Sequence, residues 1–387
     1  MPKISANYMF HPPQGLLTDH YLEVDDEGRI LRLGKDAGET DITRYEGILC
    51  PGFINAHCHL ELSFMKKQIP QGTGMTGFIG EIFAKRFSFT DVEQRKAVEA
   101  EMEELWSKGT VGIGDICNTT HSLPAKIKHK HLFTFSFIEL LGLDPMRVES
   151  EMNKGQQLIT EFETEGLRAS ISPHAPYSMS SELIREISRQ HPERMSLHLL
   201  ESLEERELFE KGSGAFVDFY RKVNLPYAGF STNSALRHVI QEISTDQAIL
   251  FVHNTEMTEE ELDQILDYFP RASFCLCPRS NFYIHNRYPD IKSFAKKTRR
   301  ICLGTDSLAS NYDLDVFEEA KCIHHLEPEI PLEKILGWLT YQGARALGAE
   351  KELGSFLVGS KPGMNLIQNI DLENLYLNEA SWVEKLF

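Results

Sequence analysis

The stretch CPGFINAHCHLE at residues 50–61 places His57 and His59 two apart at the end of an apolar run. In an extended chain, residues i and i+2 point to the same face. Two imidazoles on one face can share an ion, which makes half of a metal site. With 15 histidines in 387 residues such a pair also arises by chance, and a lone buried histidine is more often a satisfied core residue than a ligand. What gives this pair weight is a pattern repeated along the chain, in which apolar stretches end in polar or ionisable residues. His174 follows the fourth such stretch. His198 and Glu201 close the fifth, and His253 the sixth. Arg279 and Asn281 follow the seventh, and Asp306 closes the eighth.

Mixed imidazole and carboxylate donors suit one divalent ion, Zn²⁺ or Fe²⁺. A catalytic ion keeps a position open for water and lowers the pKa of that water toward about 7. A nearby carboxylate must then take and deliver protons. Glu201, three residues past His198 where strand gives way to loop, is placed for this. Arg279 and Asn281 are expected at the pocket rim, where they could hold a substrate carbonyl, carboxylate or sugar. Arg279 suits an ion pair on an acidic surface equally well. Cys58 alternates away from its histidine neighbours, and the C-x-C pair Cys275 and Cys277 reads as core rather than as ligands.

The elements that must position these residues are eight apolar stretches, at 48–57, 111–116, 131–140, 167–173, 195–200, 248–253, 272–277 and 300–305. Continuous apolar runs of this length suit parallel strands covered on both faces. Charge-rich amphipathic segments at 91–108, 149–165, 180–190, 202–222, 257–268 and 313–325 lie between them. Eightfold strand–helix alternation predicts an α/β fold, a (β/α)8 barrel, whose active site lies at the C-terminal ends of the strands. The chain ends read differently. Strands at 21–24 and 29–33 flank AspAspGluGly at 25–28, a hairpin signal, and 353–387 returns to short strands after a helix beginning near 331. Residues 1–50 with 353–387 are expected to form a small β-sandwich beside a barrel of residues 51–352.

Composition bounds the function. Hydrophobic content is 41% and charged content 25%, ordinary for a globular protein. A formal net charge of −17 argues against nucleic acid and against an anionic membrane surface as partners. No signal-peptide pattern opens the sequence, and no apolar stretch nears the roughly 18 residues that span a bilayer. Seven cysteines, an odd number sitting mainly in apolar stretches, suit a reduced, cytoplasmic compartment. A small-molecule substrate is expected, and a homodimer stays open. There is no G-x-S-x-G elbow and no P-loop. HisLeuGlu at 59–61 matches the H-x-E half of the nucleobase-deaminase zinc motif, but the P-C-x-x-C half is missing.

Taken together, PGFINAHCH at 51–59, SPHAPY at 172–177, HLLE at 198–201, FVHN at 251–254, CPRSN at 277–281 and LGTDS at 303–307 resemble the amidohydrolase superfamily. They are most similar to its cytosine deaminase-like and chlorohydrolase-like branch. The resemblance runs in order from about residue 48 to 365. It implies a mononuclear site with His57, His59, His198 and Asp306 as metal ligands. It implies that His253 hydrogen-bonds the attacking oxygen, that Glu201 shuttles a proton to the ring nitrogen and leaving group, and that Asp306 also accepts a proton from the water. His174 would contact substrate. The binuclear branch needs a lysine on the fourth strand, and residues 167–174 contain none. GRILRLG at 28–34 and GSFLVGSKPGMNL at 354–366 look like the family's terminal sandwich.

HLELS at 59–63, HLLESLEER at 198–206 and CPRSN look similar to aminofutalosine deaminases, which act on an adenine nucleoside with a 5′ extension. The expected activity is hydrolytic release of ammonia from an aminated purine or related ring. In the loop after the first strand, GMTGFIGE at 74–81, Phe78 stands where tryptophan is common and Glu81 is shifted from the usual acidic position. Guanine-like and other aminated heterocycles therefore stay open. So do a ring amidohydrolase or chlorohydrolase on the same metal centre, and an inactive barrel used for binding.

Overall fold

The computed structural model describes every residue except 39 and 231. Eight strands alternate with helices: Phe53–Cys58, Thr110–Cys117, Phe133–Leu140, Arg168–Pro173, Met195–Leu199, Ile249–His253, Ser273–Leu276 and Ile301–Leu303. All eight expected stretches contain a strand. Their residues are buried almost throughout, which is why they read as unbroken apolar runs.

The strands form two four-stranded sheets, the first four in one and the last four in the other, each paired in parallel in chain order. Two seams join these halves, and site residues make both. At one seam Cys58 bridges Asp306, and the amides of Thr305 and Asp306 donate to the His57 carbonyl at 3.0 and 3.1 Å. Gly304 allows this approach, since a Cβ there would meet the His57 carbonyl oxygen at 2.8 Å. At the other seam the His198 amide donates to the His174 carbonyl at 2.9 Å. Closing the barrel and assembling the site are therefore one event.

Local signals set the surrounding helices. Asp91–Ser107 and Glu259–Tyr268 each begin with a reciprocal capping box, Thr90 with Glu93 and Thr258 with Glu261. The charge-rich amphipathic segment at 202–222 holds two helices, Leu203–Lys211 and Ala215–Lys222, because Gly212 takes a left-handed φ of 61° and ends the first.

The chain ends meet in one seven-stranded hydrogen-bonded sheet. Ile42–Pro51 pairs in parallel with Lys3–His11 and antiparallel with Met364–Gln368. The hairpin expected around 25–28 is present as His20–Val24 against Ile30–Lys35. Ile4, Leu22, Val24, Ile30, Leu49 and Met364 give this sheet a core of its own. The stretch expected as one strand over 48–57 is divided between the two structures. Gly52 donates to the Pro362 carbonyl, whereas Phe53 donates to the Gly109 carbonyl in the barrel. The apolar run hides the change because both of its halves are buried.

Candidate metal centre and active site

Four side chains at three strand ends converge. His57 and His59 leave the first strand on one face. Their Nε2 atoms lie 3.8 and 3.3 Å from Asp306 Oδ1. The donor atoms of His57, His59 and His198 lie within 4.8 Å of one another, as do those of His57, His253 and Asp306. Asp306 presents Oδ1 to the histidines because Ser280 and Ser310 each donate a hydroxyl to its Oδ2 at 2.6 Å.

These residues fit a divalent ion. Both ring nitrogens of His57 and Nε2 of His198 are buried with no hydrogen-bond partner among the described residues. Such groups are costly to bury unless something satisfies them. Burial alone would depress the His198 imidazolium, but the carboxylates of Glu139 and Glu201 outweigh it and hold its pKa at about 10. The site thus favours positive charge where the imidazoles meet. Burial pushes His57 down to about 3, leaving the neutral imidazole that a metal requires.

Glu201 is almost wholly buried. Its Oε2 lies 3.6 Å from His198 Nδ1 and 3.3 Å from His253 Nε2, and the Tyr177 hydroxyl donates to Oε1. Burial would raise its pKa, yet these histidines and Tyr177 hold it at about 2. Burial likewise holds His253 neutral, at about 4. His174 lines the cavity, with Nδ1 2.6 Å from Ser178 Oγ. That hydroxyl is also 3.0 Å from the Ala175 carbonyl, which can only accept. Nδ1–H therefore donates to Ser178, and Nε2 remains as an acceptor.

The backbone is bent to this end. Leu200, His253, Asn254 and Asp306 have φ of 50°, 69°, 55° and 59°. Non-glycine residues rarely adopt this region, which costs about 1–3 kcal/mol each. All four sit just where strands five, six and eight turn into loops, and the bend aims Glu201, His253 and Asp306 inward.

Two expected rim contacts are elsewhere. The seventh strand leads straight into the helix Pro278–His285, which turns both side chains away from the opening, and neither lines the cavity. Arg279 makes a bidentate pair with Asp313 at 2.7 and 3.0 Å, the ion-pair alternative, though within the fold. Asn281 is buried behind His253, its Nδ2 3.0 Å from His253 Nδ1. Glu81 pairs with Lys85 at 2.7 Å, while Phe78 lines the cavity. Cys275 and Cys277 are core residues, and Cys58 packs with Val98 and Met102.

Several residues were not singled out from the sequence. Glu139, at the end of the third strand, lies 3.5 Å from His198 Nε2, an ion-pair distance without hydrogen-bond geometry. It obeys the same strand-end pattern and was legible in principle. Asp115 also sits at a strand end, yet it pairs with buried Lys126 at 2.6 Å outside the cavity, so the pattern alone does not select site residues. Glu61 accepts from the Asn118 and Thr119 amides at 3.0 Å and from the Thr119 hydroxyl at 2.7 Å, tying two strand-end loops together.

These groups open into a cavity of ≈ 290 Å³, walled by Leu62, Phe64, Phe78, Phe216 and Phe219 among others. A model of the amidohydrolase family matches residues 48–385. The chain belongs to the amidohydrolase family. This amidohydrolase is 28% identical over 346 residues to the aminodeoxyfutalosine deaminase of a Nitratiruptor species, covering 86% of the chain and 82% of that relative. It is 28% identical to a Helicobacter pylori adenosine deaminase, over 78% of the chain and 74% of the relative. The crystal structure of Helicobacter pylori aminofutalosine deaminase in complex with methylthio-coformycin matches with a TM-score of 0.78 at 25% identity, covering 95% and 92% of the two chains. Atrazine chlorohydrolase TrzN from Arthrobacter aurescens TC1, complexed with zinc, shares the fold with a TM-score of 0.72 at 15% identity, over 94% and 86%. The chain is similar in sequence to these two deaminases, and in fold to the chlorohydrolase. Among the described residues no helix is long and apolar enough to cross a membrane.

Proposed function

We propose that this amidohydrolase is a metal-dependent hydrolytic deaminase acting on an aminated purine within a 5′-substituted adenine nucleoside. The observation that carries this is buried Glu201, whose carboxylate lies beside His253 and Tyr177 in the lining of a cavity with apolar, aromatic walls. The deaminase relatives support the substrate class.

His57, His59, His198 and Asp306 would hold one Zn²⁺ or Fe²⁺. When bound, the ion supplies Lewis acidity that makes a water a nucleophile near neutral pH. In this reading Asp306 Oδ1 takes a proton from the attacking water. Glu201, ionised in the resting site, takes the water's other proton and gives it to the ring nitrogen as the C–O bond forms, then relays the proton held by Asp306 to the departing amine as the C–N bond breaks and ammonia leaves. His253 Nε2–H faces the developing oxyanion. His174 Nε2, an acceptor, suits a substrate N–H. Residues 51–352 would carry this chemistry, with 1–50 and 353–387 as the supporting β unit.

The test is metal analysis of protein purified without chelator, with ammonia release measured on adenine nucleosides, guanine, cytosine and chloro-triazines. About one ion per chain and ammonia from an adenine nucleoside are expected. Cleavage of an amide or carbon–halogen bond with no deamination would overturn the activity and keep the metal centre. Metal-free protein with no turnover would overturn both.

A further inference from the structure

We propose that Asp115, held in place by Lys126, is a positioning residue for His59: it fixes the turn on which His59 leaves the first barrel strand and so sets how firmly the metal is kept. This rests on the metal-centre reading of His57, His59, His198 and Asp306.

Among the three imidazoles of that set His59 is the least enclosed. Its side chain is 12% exposed, against 0% for His57 and 6% for His198. It stands just past Cys58, the last residue of its strand, and its amide reaches the Asp306 carbonyl only at 3.4 Å. A short helical turn, Leu60–Met65, begins at the next residue, with His59 in the capping position. Amides of a first turn need acceptors from outside it, and a capping side chain commonly supplies one. The His59 side chain makes no such bond among the described residues, because its ring is turned to Asp306. Asp115 supplies the acceptor instead: the Leu60 amide donates to its Oδ1 at 2.9 Å.

Asp115 lies on the second strand, in register with Cys58 and outside the cavity. Both of its oxygens are committed. Oδ2 takes the Lys126 ammonium at 2.6 Å and the Cys117 thiol at 3.2 Å, which leaves Oδ1 for Leu60. Lys126, from the helix Leu123–Lys128, also donates to Ser136 Oγ on the third strand at 2.8 Å and to Cys117 Sγ at 3.2 Å. It is the single buried lysine or arginine among the described residues. Burial alone would lower its pKa, but the Asp115 carboxylate outweighs that and keeps the ammonium charged. Stability does not account for such a pair, since well-packed apolar residues often serve as well or better. What apolar residues cannot do is hold an oxygen on the Leu60 amide. The Glu61 carboxylate, on the amides of Asn118 and Thr119, ties the same turn to the same strand end a second time.

Two double variants isolate that oxygen. Asp115→Asn/Lys126→Met keeps an acceptor for Leu60, Asp115→Val/Lys126→Met does not, and neither buries a charge. Thermal melts of the metal-free proteins read the fold. Release of Zn²⁺ to excess chelator and the absorption bands of Co²⁺-loaded protein read the site. The asparagine variant is expected to release metal at close to the wild-type rate. The valine variant is expected to release it roughly 10–100-fold faster, with shifted Co²⁺ bands, at a similar metal-free Tm. Equal release from the two double variants, or release that follows the metal-free Tm instead of the acceptor, overturns the proposal; the second outcome marks a purely structural role. Should the valine variant fail to fold, Leu60→Pro deletes the donor and leaves the ion pair. Proline suits a first helical position, and His59 before it is already outside the helical region, at φ −118° and ψ 82°. Unchanged release from Leu60→Pro also overturns the proposal. Wild type that holds no metal overturns the metal centre and this role together, whereas metal held alike by wild type and both double variants overturns this role alone.

Discussion

The side-chain amide of Asn281 donates to Nδ1 of His253 across 3.0 Å. The direction follows from the other side of the ring. Nε2 faces the Glu201 carboxylate at 3.3 Å, an acceptor, so Nε2 carries the proton. Burial keeps the ring neutral, at about 4, so Nδ1 is a lone pair and Asn281 is its donor. Asn281 thereby sets which face of His253 can donate toward the reacting centre.

Asn281→Asp should be more damaging than Asn281→Ala. A carboxylate behind the ring would draw the proton to Nδ1 and leave Nε2 without one. Kinetics should show kcat lowered roughly 10–100-fold with KM nearly constant and metal content unchanged. Equal, small effects from both substitutions would remove Asn281 from the orientation of His253.

Tyr177 helps to keep Glu201 ionised. Tyr177→Phe removes a donor to Oε1, so the Glu201 pKa should rise from its depressed value. The acidic limb of the pH profile of kcat/KM should then move to higher pH. Glu201→Gln should lower turnover roughly 10²–10⁴-fold while metal stays bound. A Tyr177→Phe profile that overlays the wild type would show that Tyr177 does not tune Glu201.

Glu205 is fully buried, and its Oε2 accepts from the Glu201 amide at 2.9 Å. Burial, then the Glu201 charge, pushes its pKa up to about 8. Between the ordinary carboxyl range and that value the folded chain keeps a proton that the unfolded chain releases. This group therefore makes stability fall as pH rises through that window. Glu205→Gln has no charge to bury. Its Tm should approach or exceed that of the wild type at about pH 9 and lose that advantage at about pH 5, as thermal melts at both would read. A pH-independent difference would mean that Glu205 does not titrate there.

Arg279 tests a structural role against a rim role. Arg279→Ala leaves Asp313 unpaired and removes the cation 3.9 Å from the fully buried Glu319. Breaking such a pair costs on the order of 3 kcal/mol. Denaturant midpoints should fall while KM stays within about twofold, well under the tenfold that 1.4 kcal/mol represents. A large rise in KM at unchanged stability would restore Arg279 to the substrate.

The legible part of this site was the part set by local geometry. His57 and His59 share a face because strands alternate. His198, His253 and Asp306 announce themselves because each closes an apolar run. Where the chain switched partners without changing composition, as at Gly52, or was broken by one left-handed glycine, as at Gly212, the pattern ran straight through the boundary.

By itself the sequence determined the barrel, the donor types and their place at strand ends, since burial on both faces and a two-residue period are properties of consecutive residues. Tertiary structure alone decided how the side chains that follow the strand ends are used. Asn281 supports His253, Arg279 turns to Asp313, and Tyr177 reaches Glu201. Past the end of a strand no period constrains direction, and contacts between segments far apart in the chain choose which way a side chain leaves the backbone. The two seams, Asp306 against His57 and His198 against His174, bring those segments together.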